Sequence, residues 1–126
     1  MNQEDLTKWE INGTTLVLDI DDIGDLERYE RAFQQMGEAA KQIPKDGTAS
    51  EITRAYCATF YSMYDCIFGD GTAEKIHSKK YSAKECETVY ASFLAFVSAQ
   101  REARDAARAQ IARYLPQNRA QRRRQK

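Results

Sequence analysis

Few residues in this 126-residue chain have the type and spacing that chemistry requires, and each group of them can be weighed on its own. The acids Asp19, Asp21 and Glu30, with Gly24 and Leu26 between them, match positions 1, 3, 12, 6 and 8 of an EF-hand calcium loop. Position 5 is Ile23, whose side chain cannot ligate, and the segment leading in reads as a strand. These acids are equally accounted for as helix N-terminal residues that complement the macrodipole, so no metal site is expected. His77, the only histidine, has no cysteine or acid at metal-ligand spacing and reads as solvent-exposed or locally capping. Cys57, Cys66 and Cys86 lie on or beside apolar helix stripes, form no C-x-x-C pair, and read as reduced core thiols. Gly69-Asp70-Gly71 is a turn without the Lys-Ser/Thr of a phosphate loop. No Ser-His-Asp triad and no pair of catalytic carboxylates can be assembled. The expectation is a non-enzymatic protein with no catalytic residues and no cofactor.

What remains is charge. The chain has 19 basic and 19 acidic residues and a formal net charge of zero, but the two signs are segregated. Residues 1–30 hold nine acids and two bases, and residues 101–126 hold nine bases and two acids. Such poles attract each other within a chain, attract a neighbour's pole, serve separate partners, or stand solvated without one. The basic pole nominates Arg101, Arg104, Arg108, Arg119, Arg122, Arg123 and Arg124 as partner-binding residues, with Ile111 and Tyr114 as apolar contacts among them. Phosphates suit these arginines. The rest of the chain is not basic, however, and it offers no element to read base edges. Nucleic acid is therefore disfavoured against an acidic protein surface.

The elements that must position these residues follow from periodicity. The sequence KWEINGTTLVLDI contains Asn12-Gly13, the pair that a type I′ hairpin turn demands. A hairpin over residues 8–20 pairs Ile11 with Thr14 and Trp9 with Leu16. It collects Trp9, Ile11, Leu16, Leu18 and Ile20 on one face. A first helix over about 22–43, capped by Asp21 or Asp22, has the stripe Leu26, Tyr29, Phe33, Met36, Ala40 and Ile43 and stops at Pro44. Thr48 with Glu51 opens a second helix over 49–68, and Ser82 with Glu85 opens a third over 83–114. A short helical segment lies between them, from Thr72 to His77. The long helix loses its strong apolar stripe near Val97. Its second half, with Ala103, Ala107, Ile111 and Tyr114, is expected to project past the core or lie against a partner. The fold class is mainly α (α+β), an N-terminal hairpin packed on about three helices. Residues 1–115 form a single domain and 116–126 a flexible basic tail. Trp9 is expected to sit on the first two helices. No apolar run approaches the ~18 residues that span a bilayer, and the polar N-terminus does not read as a secretory signal. Free thiols fit a reducing cytoplasm.

The Ile-Asn-Gly hairpin, the run Asp-Ile-Asp-Asp-Ile, the run Leu-Glu-Arg-Tyr-Glu and the central Ile-Phe-Gly-Asp-Gly-Thr-Ala-Glu-Lys-Ile together form a pattern. It resembles small proteins of the tail-gene cluster of long-tailed phages and prophages of Gram-positive bacteria. The ending Asn118-Arg119-Ala120-Gln121-Arg122-Arg123 is similar to the ends of phage tail assembly chaperones. The resemblance implies a viral protein of the host cytoplasm that keeps a tape measure protein soluble during tail assembly. Its implied partners are the tape measure or tail tube protein, and further copies of itself as a homo-oligomer. Two other classes suit the same charge pattern: a small phage inhibitor of host defence, and a nucleic-acid-binding module that uses the basic C-terminus.

Overall fold

The structure, a computed structural model, describes residues 5–115. It is mainly α, with an N-terminal two-stranded antiparallel hairpin followed by four helices. The strands are β1 (Lys8–Ile11) and β2 (Thr14–Val17), and the helices are α1 (Ile23–Lys41), α2 (Ala49–Phe68), α3 (Thr72–Ile76) and α4 (Ala83–Ala112).

The hairpin follows from its turn. Asn12 and Gly13 both have positive φ, 47° and 78°, as a type I′ turn requires. Ile11 therefore faces Thr14 and Trp9 faces Leu16. Strand pairing ends at Val17, earlier than the expected limit of residue 20, yet Leu18 and Ile20 are both buried. The anchored face is thus the one that alternation predicts.

Trp9 is the hinge of the core. Its ring lies 5.8 Å from Tyr64 and 6.1 Å from Phe68 on α2, and 5.2 Å from Phe93 and 6.1 Å from Phe96 on α4. Its indole N–H donates to Ser92 Oγ at 3.0 Å, which gives a buried polar atom its partner. The expectation that Trp9 sits on the first two helices is corrected here to α2 and α4. These carry the larger aromatic faces, and α1 reaches the cluster only through Tyr29 and Phe33 beside Phe93.

The helices begin where their caps place them. Asp22, Thr48 and Ser82 each accept a hydrogen bond from the backbone N–H three residues on, that of Asp25, Glu51 and Glu85. Helix α1 is half in solvent. Ala32 is its one buried residue, while Ala40, expected in the buried stripe, is exposed. The stripe of α2 is deep, with Cys57, Phe60, Met63, Tyr64 and Ile67 buried. The turn after it uses two glycines at positive φ, Gly69 at 113° and Gly71 at 88°, where L side chains are strained.

One polar side chain joins distant parts of the chain. Gln100 is 6% exposed. Its amide nitrogen donates to Leu18 O at 2.6 Å, and its amide oxygen accepts from Ile20 N at 3.0 Å. Both backbone groups lie beyond the end of the β ladder, so this bidentate contact satisfies what strand pairing leaves open. It also shows that α4 stays on the core past Val97, a turn further than its apolar stripe suggests.

Two stability predictions follow from these contacts. Replacement Trp9→Ala should cost about 3–5 kcal/mol in denaturant unfolding, as for a buried aromatic ring. Replacement Gln100→Leu keeps the volume but leaves two buried backbone groups without partners, at about 1–3 kcal/mol for each. A change under about 0.5 kcal/mol in the second variant would show that water reaches Leu18 and Ile20.

Candidate functional site

The sequence nominates the C-terminal part of α4 and the tail beyond it. Arg119, Arg122, Arg123 and Arg124 lie outside the described residues. The others form an arm. Tyr90, Phe93, Val97, Gln100, Arg104, Ala107, Ile111 and Tyr114 follow one another at steps of three and four, so they share one face of the helix. That face is buried at Phe93, Val97 and Gln100, half-buried at Arg104, and open from Ala107 onward. Ile111 is 54% exposed, Tyr114 86% and Leu115 59%. Among the described residues, the stripe that holds α4 on its own core therefore continues past the end of that core with its side chains exposed. Leu115 was not among the nominated residues. Its signal was present in the same three-four spacing, counted from Arg104, Arg108 and Ile111.

The arginines of the arm have different surroundings. Arg108 Nη2 lies 3.2 Å from Asp21 Oδ1, so the two charge poles meet within one molecule. Both side chains are more than half exposed, which limits this pair to about 0–1 kcal/mol. Arg104 pairs with its neighbour Asp105 at 3.2 Å. It also lines a small groove in which Leu6, Thr7, Asp19 and Asp21 face Gln100, Ala103, Arg104 and Ala107. Arg101 is exposed and forms no ion pair among the described residues.

The acidic segment is occupied by local work. Asp19 Oδ1 accepts from Asp21 N, Asp22 caps α1, and Asp25 accepts from Asp19 N while pairing with Arg28. Arg28 also donates to Ile67 O on α2. Carboxylates directed at backbone N–H groups and at arginine do not converge on a common point. Among the described residues no group of three or more His, Cys, Asp or Glu can hold a metal ion.

The one histidine corrects an expectation in part. His77 caps α3, as one of its two readings held, but it is buried and not solvent-exposed. Its Nδ1 lies 2.7 Å from Ala73 O, and its ring packs on Tyr61 and Tyr64. Beside it a cleft of about 380 Å³ is lined by Tyr61, Glu74, His77, Lys79, Lys80 and Tyr81. The loop that forms this cleft is closed internally. Burial opposes ionisation of Glu85, but hydrogen bonds from the Ser78 side chain and from the Lys79 and Ser78 N–H groups prevail and hold its carboxyl below the usual range. Tyr81, at φ 57°, donates its N–H to Tyr61 Oη at 2.8 Å. No cysteine or serine is hydrogen-bonded to His77 among the described residues. Burial, followed by contact with Cys57, pushes the Cys86 thiol up to about 12, which keeps it a thiol at neutral pH.

The described residues thus present an apolar and basic helix face that is exposed, and Asp19, Asp21, Asp22 and Asp25 engaged in hydrogen bonds and ion pairs. Among the described residues no helix is long and apolar enough to cross a membrane. A family model described as a family of unknown function, DUF6673, matches residues 12–126. No curated protein and no solved structure matches the chain.

Tyr64 yields a pH prediction. Its hydroxyl is buried without a hydrogen-bond partner among the described residues, and burial raises its pKa well above the ordinary 10. The unfolded chain therefore ionises first. Stability contributed by the neutral ring is intact below pH 10 and falls above it, by up to about 1.4 kcal/mol per pH unit. Replacement Tyr64→Phe should leave stability equal or higher at pH 7 and flatten the alkaline loss. Equal alkaline slopes in the two proteins would place the titration elsewhere.

Proposed function

The chain belongs to the DUF6673 family, whose function is unknown, and we propose that it is a non-enzymatic binding protein, a phage tail assembly chaperone that keeps a helical tape measure protein soluble in the host cytoplasm. One observation carries this reading. The apolar stripe of α4 leaves its own core at Ala107 and remains open at Ile111 and Tyr114. An apolar seam at three-four spacing is complementary to another helix with the same spacing. A tape measure is long, helical and apolar-striped, and it aggregates unless those stripes are covered. Arginines beside the seam, Arg101, Arg104 and Arg108, add attraction to acids on the client and keep the arm itself soluble. The sequence resemblance to tail-cluster proteins supplies the identity of the client, and the tail tube protein is the second candidate.

The test is co-expression. The full chain should hold the tape measure protein of its own phage in the soluble fraction and co-purify with it. A chain truncated after Gln100 keeps Val97 and the Gln100 contacts. It should remain folded, with a melting temperature within a few degrees of the parent, and lose the client. Capture that persists in the folded truncation would move the client site off the arm. Salt-sensitive retardation of DNA by the full chain, without client capture, would favour the nucleic-acid module instead.

A further inference from the structure

The cleft of about 380 Å³ beside His77 is lined from α2, α3 and the loop of residues 77–81, and it shares no residue with the arm of α4. Its volume falls within the roughly 300–1,000 Å³ of small-molecule sites. Planar groups stand in a row along it. The Arg54 guanidinium lies 4.9 Å from the Tyr81 ring, Tyr81 lies 5.5 Å from Tyr61, and Tyr61 lies 4.8 Å from His77. His77 is 8% exposed, and its Nε2 is buried with no hydrogen-bond partner among the described residues. The other ring nitrogen, Nδ1, lies 2.7 Å from Ala73 O. A carbonyl oxygen only accepts, so in the neutral ring the proton sits on Nδ1 and Nε2 is a lone pair. The atom that satisfies Nε2 must therefore be a donor. Three charged side chains line the same cleft, Glu74, Lys79 and Lys80. All three are exposed, and none forms an ion pair among the described residues. Together these groups select the ligand's charge. A simple anion meets the Glu74 carboxylate and the lone pair on Nε2. A simple cation meets two lysines. A molecule with one ammonium and one carboxylate finds a partner for each.

We propose that this cleft binds a small zwitterion of the aromatic amino-acid class, its ammonium held between Glu74 and His77 Nε2, its carboxylate by Lys79 and Lys80, and its ring laid against Tyr61 and Tyr81. Nε2 has almost no accessible surface in the free protein. The ammonium reaches it as the long, exposed lysine side chains turn aside to the carboxylate. The wall itself stays in place. Glu85 accepts from the N–H groups of Ser78 and Lys79, and Tyr61 Oη accepts from Tyr81 N. Such a wall loses little freedom on binding. The aromatic faces add to the attraction for an ammonium, as Tyr81 already does for Arg54. A flat apolar side chain gains by stacking on the same rings.

The chain has one histidine, so a long-range proton–nitrogen NMR spectrum of the isotope-labelled full chain reads this imidazole alone. At about pH 8 the free protein should show the proton on Nδ1. L-phenylalanine added to about 5 mM, enough to detect millimolar binding, should move the Nε2 resonance in the direction of an accepted hydrogen bond. The proton should stay on Nδ1. Phenethylamine and 3-phenylpropionate keep the same ring and carry one charge each. Both should bind about tenfold more weakly or worse. Glu74→Gln and the double variant Lys79→Gln, Lys80→Gln should each weaken L-phenylalanine by about the same factor. Their melting temperatures should be unchanged, because all three side chains are exposed and unpaired among the described residues. A proton found on Nε2 in the free protein, or an Nε2 resonance that ignores L-phenylalanine, overturns the proposal. So does a single-charge analogue that binds as tightly as the amino acid, or unchanged affinity in either folded variant. The client reading stands or falls separately, since the cleft and the arm have no residue in common.

Discussion

The contact between the Gln100 amide and the backbone of Leu18 and Ile20 sets the relation of one half of this molecule to the other. A two-stranded sheet has no further strand to satisfy its edge, and a lone hairpin is marginal in water. Here the chain leaves the ladder at Val17 and enters α1 at Ile23, with five residues between that need partners. Gln100 supplies one donor and one acceptor in the plane of a single amide, matched to two backbone groups spaced two residues apart. Helix α4 is thereby held at a fixed height against the hairpin. The height places Trp9 among Tyr64, Phe68, Phe93 and Phe96 below it and Asp21 beside Arg108 above it.

Electrostatics takes its form from that height. The acidic N-terminal third does not act as a diffuse field. Asp22 caps a helix, Asp19 and Asp25 tie the connector to itself, and Asp21 reaches the arm. Apart from the Asp21–Arg108 pair, these are local hydrogen bonds from backbone donors, which favour a carboxylate near a helix start. The described part of the basic pole, in contrast, is only partly matched, through Arg108 and Arg104, while Arg101 and Arg113 are exposed. The proposed docking edge is the apolar seam bordered by this charge, whereas the loop around Glu85 and Tyr81 is closed by its own hydrogen bonds.

The proposed binding role draws on a single property of α4. One helix performs two tasks along one stripe. Its first part anchors the hairpin and α2, and its last part continues the same spacing with Ile111 and Tyr114 exposed among the described residues. A buried stripe needs no explanation beyond the core, whereas an exposed continuation of it is a surface that water disfavours. The aromatic cluster keeps the anchored part rigid, so the arm is presented as a preformed helix and loses little conformational freedom on binding.

Much of this was written in local sequence. Asn12-Gly13 determines the turn and with it the register, because only that backbone geometry admits two consecutive positive φ angles. The three capping residues determine where α1, α2 and α4 begin, each through a bond to a residue three positions away. The exposed positions Ile111 and Tyr114 were legible too, as apolar residues among arginines. Tertiary structure alone decided which helices receive Trp9, since aromatic stripes on α1, α2 and α4 look alike in one dimension and differ only in how much ring area they offer at the hairpin's height. It decided that His77 is buried, because a single histidine carries no periodic signal. It also decided that Gln100 is a core residue and that Asp21 meets Arg108. Both depend on contacts between residues at least eighty positions apart, and periodicity, a property of neighbours within a few turns, has no term for them.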